Sequence, residues 1–364
     1  MRIFPLTIVY ILLSIGIAIG QQLTLKLTPN STIGQRKEYI FSKVMDSRVQ
    51  KSVGQVYDSE RNKLTATFDG KLAEQAKFFY NSRITSDQNT SYNILVKIYN
   101  LDLKEIYQAN QRGYKGEIQL SLGFFVQGEG NPVHLVDFNG KANYGRPANQ
   151  TTNVQKSVQQ LFENSWEYFD AWFSSQAPTN RSLAKTVKLN ILDPILPSTK
   201  DTVYYDPERP LTWDDFSESP DPTSSFNATI FSSLSIEGNA EIVAGEIIQT
   251  IFIKVYMLPD QSWVKNADDY ANNHEQKHFD LTRIAADRMI YALNNADLEP
   301  AFFEATLNDI YLDAYREMNK LQELYDGQTR NGLNRDVQAR WNQIIKESLT
   351  GNWEKLDHLL ETNN

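Results

Sequence analysis

His274-Glu275-Gln276-Lys277-His278 is the stretch that decides how the C-terminal half of this chain is read. Two histidines stand four residues apart, with a glutamate directly after the first, in the pattern H-E-x-x-H. On a helix such positions share one face, so both imidazoles can reach a single ion while Glu275 sits beside them. That donor set suits Zn²⁺, with the glutamate placed to act as general base toward a water molecule. The 364 residues contain only four histidines, and half of them lie in this pentapeptide.

Downstream, Leu281, Ala285, Met289 and Ala292 continue the stripe begun by the histidines, which predicts a helix running to about residue 293. Phe303, Leu307, Ile310, Ala314, Met318 and Leu321 predict a second helix, and Val337, Trp341, Ile344 and Ile345 a third. Asp280 follows His278 by two residues and points about 200° round the helix, so it is expected to support the site from behind rather than to join it. Upstream, residues 247–257 alternate as a strand. In Trp213-Asp214-Asp215-Phe216 the tryptophan reads as a buried anchor and the acids as turn caps.

A zinc site that keeps one position open takes three protein ligands, and these residues leave the third unassigned. His134 lies in the strand-like Pro132-Val133-His134-Leu135-Val136, and His358 stands near the end of the chain. Asp309, Asp313 and Glu317 form an acidic row at four-residue spacing, which reads as a solvated helix face.

The extended motif through Phe279-Asp280, with Trp213-Asp214-Asp215-Phe216 and Ser262-Trp263-Val264 before it, resembles a bacterial family of predicted secreted zinc-dependent peptidases, a domain family of otherwise unknown function. The resemblance spans about residues 210–346 and implies a zincin-type domain. There His274 and His278 would be metal ligands, Glu275 the catalytic base and Asp280 an outer-sphere support. That family carries a downstream Tyr-Asp, Thr and His-Gly or His-Ser pattern whose histidine completes the zinc site. Here the stretch reads Tyr325-Asp326-Gly327-Gln328-Thr329-Arg330-Asn331-Gly332, so the third-ligand position falls on Asn331. An amide oxygen is a weaker zinc ligand than imidazole.

The N-terminal half reads differently. Residues 23–27, 64–68, 92–98 and 116–122 alternate with period two, as half-buried strands do. Val154, Val158, Leu161, Phe162, Trp166 and Phe169 recur at helical spacing and should pack a helix on that sheet. The predicted fold is α+β. A signal peptide occupies 1–20, an N-terminal domain with antiparallel sheet plus helix 21–185, a connector 186–208, and a mostly helical, peptidase-like domain with a small sheet 209–364.

Met1-Arg2-Ile3-Phe4 and the apolar run to Ile19, leaving through Ala18-Ile19-Gly20, have the form of a secretory signal cleaved before Gln21. An uncleaved anchor is the rival reading. No later segment is apolar enough to span a bilayer. Cysteine is absent, which removes disulfides, thiolate metal sites and a cysteine nucleophile. Five Asn-x-Ser/Thr triplets begin at Asn30, Asn89, Asn149, Asn180 and Asn227; in a cysteine-free, asparagine-rich chain they read as coincidence, and a bacterial envelope protein fits better. Forty-five acidic against 36 basic side chains give a net charge of -9, which argues against nucleic acid as a partner. The expectation is an exported, periplasmic or secreted, zinc-dependent metallopeptidase acting on a peptide or protein substrate through a metal-activated water. The alternative is a degenerate peptidase-like domain that serves as a non-catalytic binding or scaffolding partner of another envelope protein.

Overall fold

A computed structural model describes residues 21–29, 34–85, 92–128 and 130–362. The expected signal peptide, 1–20, lies outside them. The chain divides into two compact units, 1–176 and 177–364, and its class is α+β.

The first unit holds β1 (Gln22–Leu25), β2 (Gln35–Arg36), β3 (Tyr39–Asp46), β4 (Gly54–Tyr57), β5 (Lys63–Phe68), α1 (Leu72–Asn81), β6 (Ile84–Thr85), β7 (Tyr92–Gln108), β8 (Gly113–Val126), β9 (Val133–Pro147) and α2 (Thr152–Gln176). Its main sheet runs β1-β5-β4-β7-β8-β9, with β3 also paired to β7. The β7-β8-β9 portion is the antiparallel meander that the alternation predicts, but β1 pairs β5 and β3 pairs β7 in parallel. The sheet is therefore mixed. Every residue of the stripe from Val154 to Phe169 is buried on α2, which packs on β8 and β9. Phe124 stacks on Phe169, and Tyr80 of α1 bonds Ser165 of α2 through their hydroxyls at 2.8 Å.

One ion pair is wholly enclosed in this unit. Arg146 grips Glu105 with two N–H···O bonds of 2.7 and 2.8 Å, and neither side chain is exposed. Tyr144 donates to the same carboxylate, and the remaining guanidinium hydrogens reach carbonyls of Tyr57, Pro147, Ala148 and Gln150. A buried charge is tolerated on these terms, with every donor occupied. The pair pins the approach to α2 against the sheet.

The second unit comprises β10 (Thr186–Leu192), β11 (Val203–Tyr204), β12 (Ala228–Thr229), β13 (Ser232–Val243), β14 (Glu246–Met257), β15 (Trp263–Val264), α3 (Asp269–Asn294), α4 (Phe303–Thr329), α5 (Arg335–Ser348) and α6 (Glu354–Thr362). The stretch 186–208, expected as a connector, belongs to this unit instead. Its β10 lies parallel to β14 over seven residues and β11 pairs β14 further along, so the passage between units falls at 176–177. Its partner strand begins about 60 residues later, beyond the reach of a local pattern.

Alternate residues of β14, from Ile247 to Met257, are buried and face a core shared with Phe279, Ala285, Ala286 and Met289 of α3. On its other side α3 puts Leu281 and Ile284 against Leu321 and Tyr325 of α4 and Trp341 and Ile345 of α5. Helix α3 is thus enclosed on both sides. Its polar residues His274, Glu275, His278, Asp280 and Thr282 are all buried, and buried polar groups need partners. Among the described residues no helix is long and apolar enough to cross a membrane.

Candidate metal centre

Asp268 starts α3 by accepting a hydrogen bond from the Ala271 N–H at 2.7 Å, a side-chain N-cap. From that start the helix delivers His274 and His278 to one face, as their spacing predicts. The third member of the group comes from α4. His274, His278 and Asp326 place one ligand atom each within 4.8 Å of one another and form a group able to hold a metal ion. Asp326 Oδ1 lies 3.2 Å from His274 Nε2 and 3.0 Å from His278 Nε2, and the two Nε2 atoms are 3.3 Å apart.

The other ring nitrogens settle what these contacts are. His274 Nδ1 meets Gln338 Oε1 at 2.9 Å, and His278 Nδ1 meets Gln322 Oε1. An amide oxygen only accepts, so each Nδ1 carries a hydrogen and donates it. In the neutral rings both Nε2 lone pairs are then bare and turned toward a carboxylate oxygen. Three electron-rich atoms this close repel unless positive charge sits among them, as protons or as a cation. For Zn²⁺ at about 2.0–2.1 Å from each ligand, tetrahedral geometry puts neighbouring ligand atoms about 3.3–3.4 Å apart. The three observed separations lie at or slightly inside that edge, so the donor set fits.

The electrostatics agree. Burial would raise the Asp326 carboxyl, but its bonds to His274 and His278 and their charge hold it well below the usual carboxylate range. Burial pulls His278 down, and Asp326, followed by Glu275, outweighs it and raises the imidazole. The histidine side chains are 9% and 10% exposed against 38% for Asp326, so solvent reaches the group from the aspartate side.

Glu275 is 5% exposed. Burial pushes its carboxyl above the ordinary range, opposed by His278, His274 and the N–H of Ile230, which donates to it from just past β12. A carboxylate poised upward beside a cation site is what a general base needs near neutral pH.

Tyr325, adjoining Asp326, stacks on His274 at 4.8 Å between ring centroids and meets His278 edge-on at 4.9 Å. Beyond α4 the chain turns through Arg330, Asn331 and Gly332, all at positive φ, and Asn334 caps α5. This turn brings Gln338 back to His274. Asn331 is exposed on it, and its described hydrogen bond runs from its backbone N–H to the Asp326 carbonyl. The carboxylate that joins the two imidazoles in the group is that of Asp326, five residues before the position expected for the third ligand.

Asp280 is buried, but it faces away from the histidines. It accepts from Tyr205, Gln276 and Lys277, while Gln276 also accepts the Leu211 N–H at 2.7 Å. It therefore ties the segment after β11 to α3. The supporting role at the imidazoles belongs to Gln322 and Gln338, which sequence reasoning passed over. Gln322 and Asp326 stand four apart on α4, a spacing that could have pointed to both. Other candidates lie elsewhere: His134 is exposed and contacts Asp137, His358 is exposed, Asp313 pairs Arg316, and Glu317 pairs Arg288. Asp215 caps the turn after Thr212 and pairs Arg209, as a structural residue does.

No family model matches the chain, and no curated protein matches it. Among solved structures, a DUF330-family protein from Xanthomonas campestris is 11% identical over 42% of this chain and 94% of its own, with a TM-score of 0.27. An uncharacterized protein is 9% identical over 43% and 98%, with a TM-score of 0.21. Likeness at that level carries no argument about fold or activity.

Proposed function

We propose that the second unit is a zinc-dependent hydrolase of peptide bonds in an exported protein. His274, His278 and Asp326 would hold the ion and Glu275 would serve as general base. The convergence of two bare Nε2 lone pairs and one carboxylate oxygen, at separations matching a tetrahedral edge, carries this reading. Bound Zn²⁺ supplies a Lewis acid and makes water a better nucleophile at neutral pH.

The chain's own residues account for the rest. Gln322 and Gln338 keep the Nδ1 hydrogens engaged, so both Nε2 atoms stay free to ligate. Glu275 accepts a proton from the attacking water and can return it to the leaving amine. Ile230 holds that carboxylate in place. The greater exposure of Asp326 leaves one side of the group open to a substrate. Export rests on the basic, apolar and small-residue pattern of residues 1–20.

Metal content and cleavage of a quenched fluorescent peptide library test the proposal together. One zinc per chain, lost in His278→Ala, is expected. Glu275→Gln should keep the zinc and lower cleavage by about 10²–10⁴-fold. Protein without zinc or cleavage would overturn the reading. Zinc without cleavage would replace the hydrolase with a metal-holding binding module of the envelope.

A further inference from the structure

We infer that Thr282 is a positioning residue for the metal centre: with Ser232 it fixes the amide orientation of Gln322, and through it the tautomer of His278. The inference rests on the reading of His274, His278 and Asp326 as metal ligands, but its geometry lies one layer further out.

Gln322 Nε2 donates to the His278 carbonyl at 2.9 Å and to Thr282 Oγ1 at 3.0 Å. Thr282 is fully buried. Its hydroxyl donates to the His278 carbonyl at 3.2 Å and lies 2.7 Å from Ser232 Oγ at the start of β13. A hydroxyl has one hydrogen and two lone pairs. The Thr282 hydrogen goes to the carbonyl, one lone pair takes the amide N–H and the other takes the Ser232 hydrogen. The Thr282 hydroxyl is thereby fully engaged.

The consequence concerns the far end of Gln322. With both amide hydrogens committed to His278 O and Thr282 Oγ1, Oε1 must face His278 Nδ1, which then carries the hydrogen. A reversed amide would set Oε1 against the His278 carbonyl and offer N–H groups to Nδ1. The ring hydrogen would move to Nε2 and block ligation. The His278 carbonyl opposes reversal in any variant, and Thr282 supplies the second constraint. On the other ring Gln338 donates to Tyr325 Oη and Asn342 Oδ1, and Tyr325 in turn donates to the His274 carbonyl at 3.4 Å. Each ligand histidine is thus oriented by a glutamine that a hydroxyl holds in place.

Thr282→Val keeps the shape and removes the hydroxyl, and Thr282→Ser restores it. Two readouts on the full chain apply. One is Zn²⁺ affinity by chelator competition. The other is the imidazole tautomer, from ¹⁵N spectra of histidine-labelled, metal-free protein in alkaline buffer. Thr282→Val should weaken zinc by about 10-fold, the low end for outer partners of a metal ligand, and admit the Nε2–H form at His278 alone. Thr282→Ser should recover both. If Thr282→Val fails to fold, Ser232→Ala tests the same hydroxyl pair from the strand side and should shift both readouts in the same direction. Unchanged affinity and tautomer in a folded variant, or an Nε2–H ring at His278 in the wild type, would overturn the inference. A wild type that binds no zinc but shows the Thr282-dependent Nδ1–H ring would sink the hydrolase reading and leave the positioning role standing.

Discussion

Gly332 lies against the imidazole of His274, so close that a Cβ added there would sit 3.3 Å from Nδ1. Its φ of +79° belongs to the left-handed region, which glycine enters without steric cost. Both constraints act on the turn that carries Gln338 to His274. Gly332→Ala should cost about 1–2 kcal/mol of stability, read by denaturant unfolding. It should also weaken zinc binding, because the same methyl crowds the Nδ1–H bond. Full stability with reduced affinity would show that the backbone absorbs the change while the ring does not.

Whether Asp326 or Asn331 supplies the third contact to an ion has a direct test. Asp326→Asn removes the anionic oxygen and should lower zinc affinity by more than the about 10–100-fold typical of outer-sphere partners. Asn331→Ala should leave affinity unchanged. The opposite ranking would return the third contact to Asn331.

Metal-free stability should depend on pH in a defined sense. Asp326 is lowered by its imidazole partners, so its contribution is present above the ordinary carboxylate pKa and lost as pH falls through its lowered folded value. His278 is raised, so its contribution is full below the ordinary imidazole pKa and lost as pH rises through its folded value. Glu275, raised by burial, carries the same sign. Stability without metal should therefore decline from mildly acidic toward alkaline pH. Zinc must displace the proton held by His278, so the rise in Tm on adding zinc should grow over the same interval. A metal-induced shift independent of pH would contradict the assignment of His278.

In the first unit, Glu105→Gln leaves Arg146 buried without its counter-charge. Breaking such a pair by removing one partner costs about 3–5 kcal/mol. Calorimetry should show this as a loss confined to one transition if the two units melt separately.

What was legible in the sequence was what repeats locally. The α2 stripe from Val154 to Phe169 and the face shared by His274 and His278 follow from a period of 3.6 residues, and the structure keeps both. Parallel pairing of β1 with β5 and of β10 with β14 joins segments far apart in the chain, and neither strand carries a mark of its partner. The third member of the group was hidden for a similar reason. Asp326 sits 48 residues beyond His278, on a helix whose own pattern reports only its core face. Gln322 and Gln338 are neutral amides, so neither charge nor hydropathy singles them out; their role appears only once three helices meet.

That separation of 48 residues has a further consequence in a chain without cysteine. An ion held between His278 and Asp326 is a removable crosslink, closing a long loop as a disulfide would and drawing its strength from ion concentration rather than from redox state. The endurance of this unit would then follow the local supply of metal.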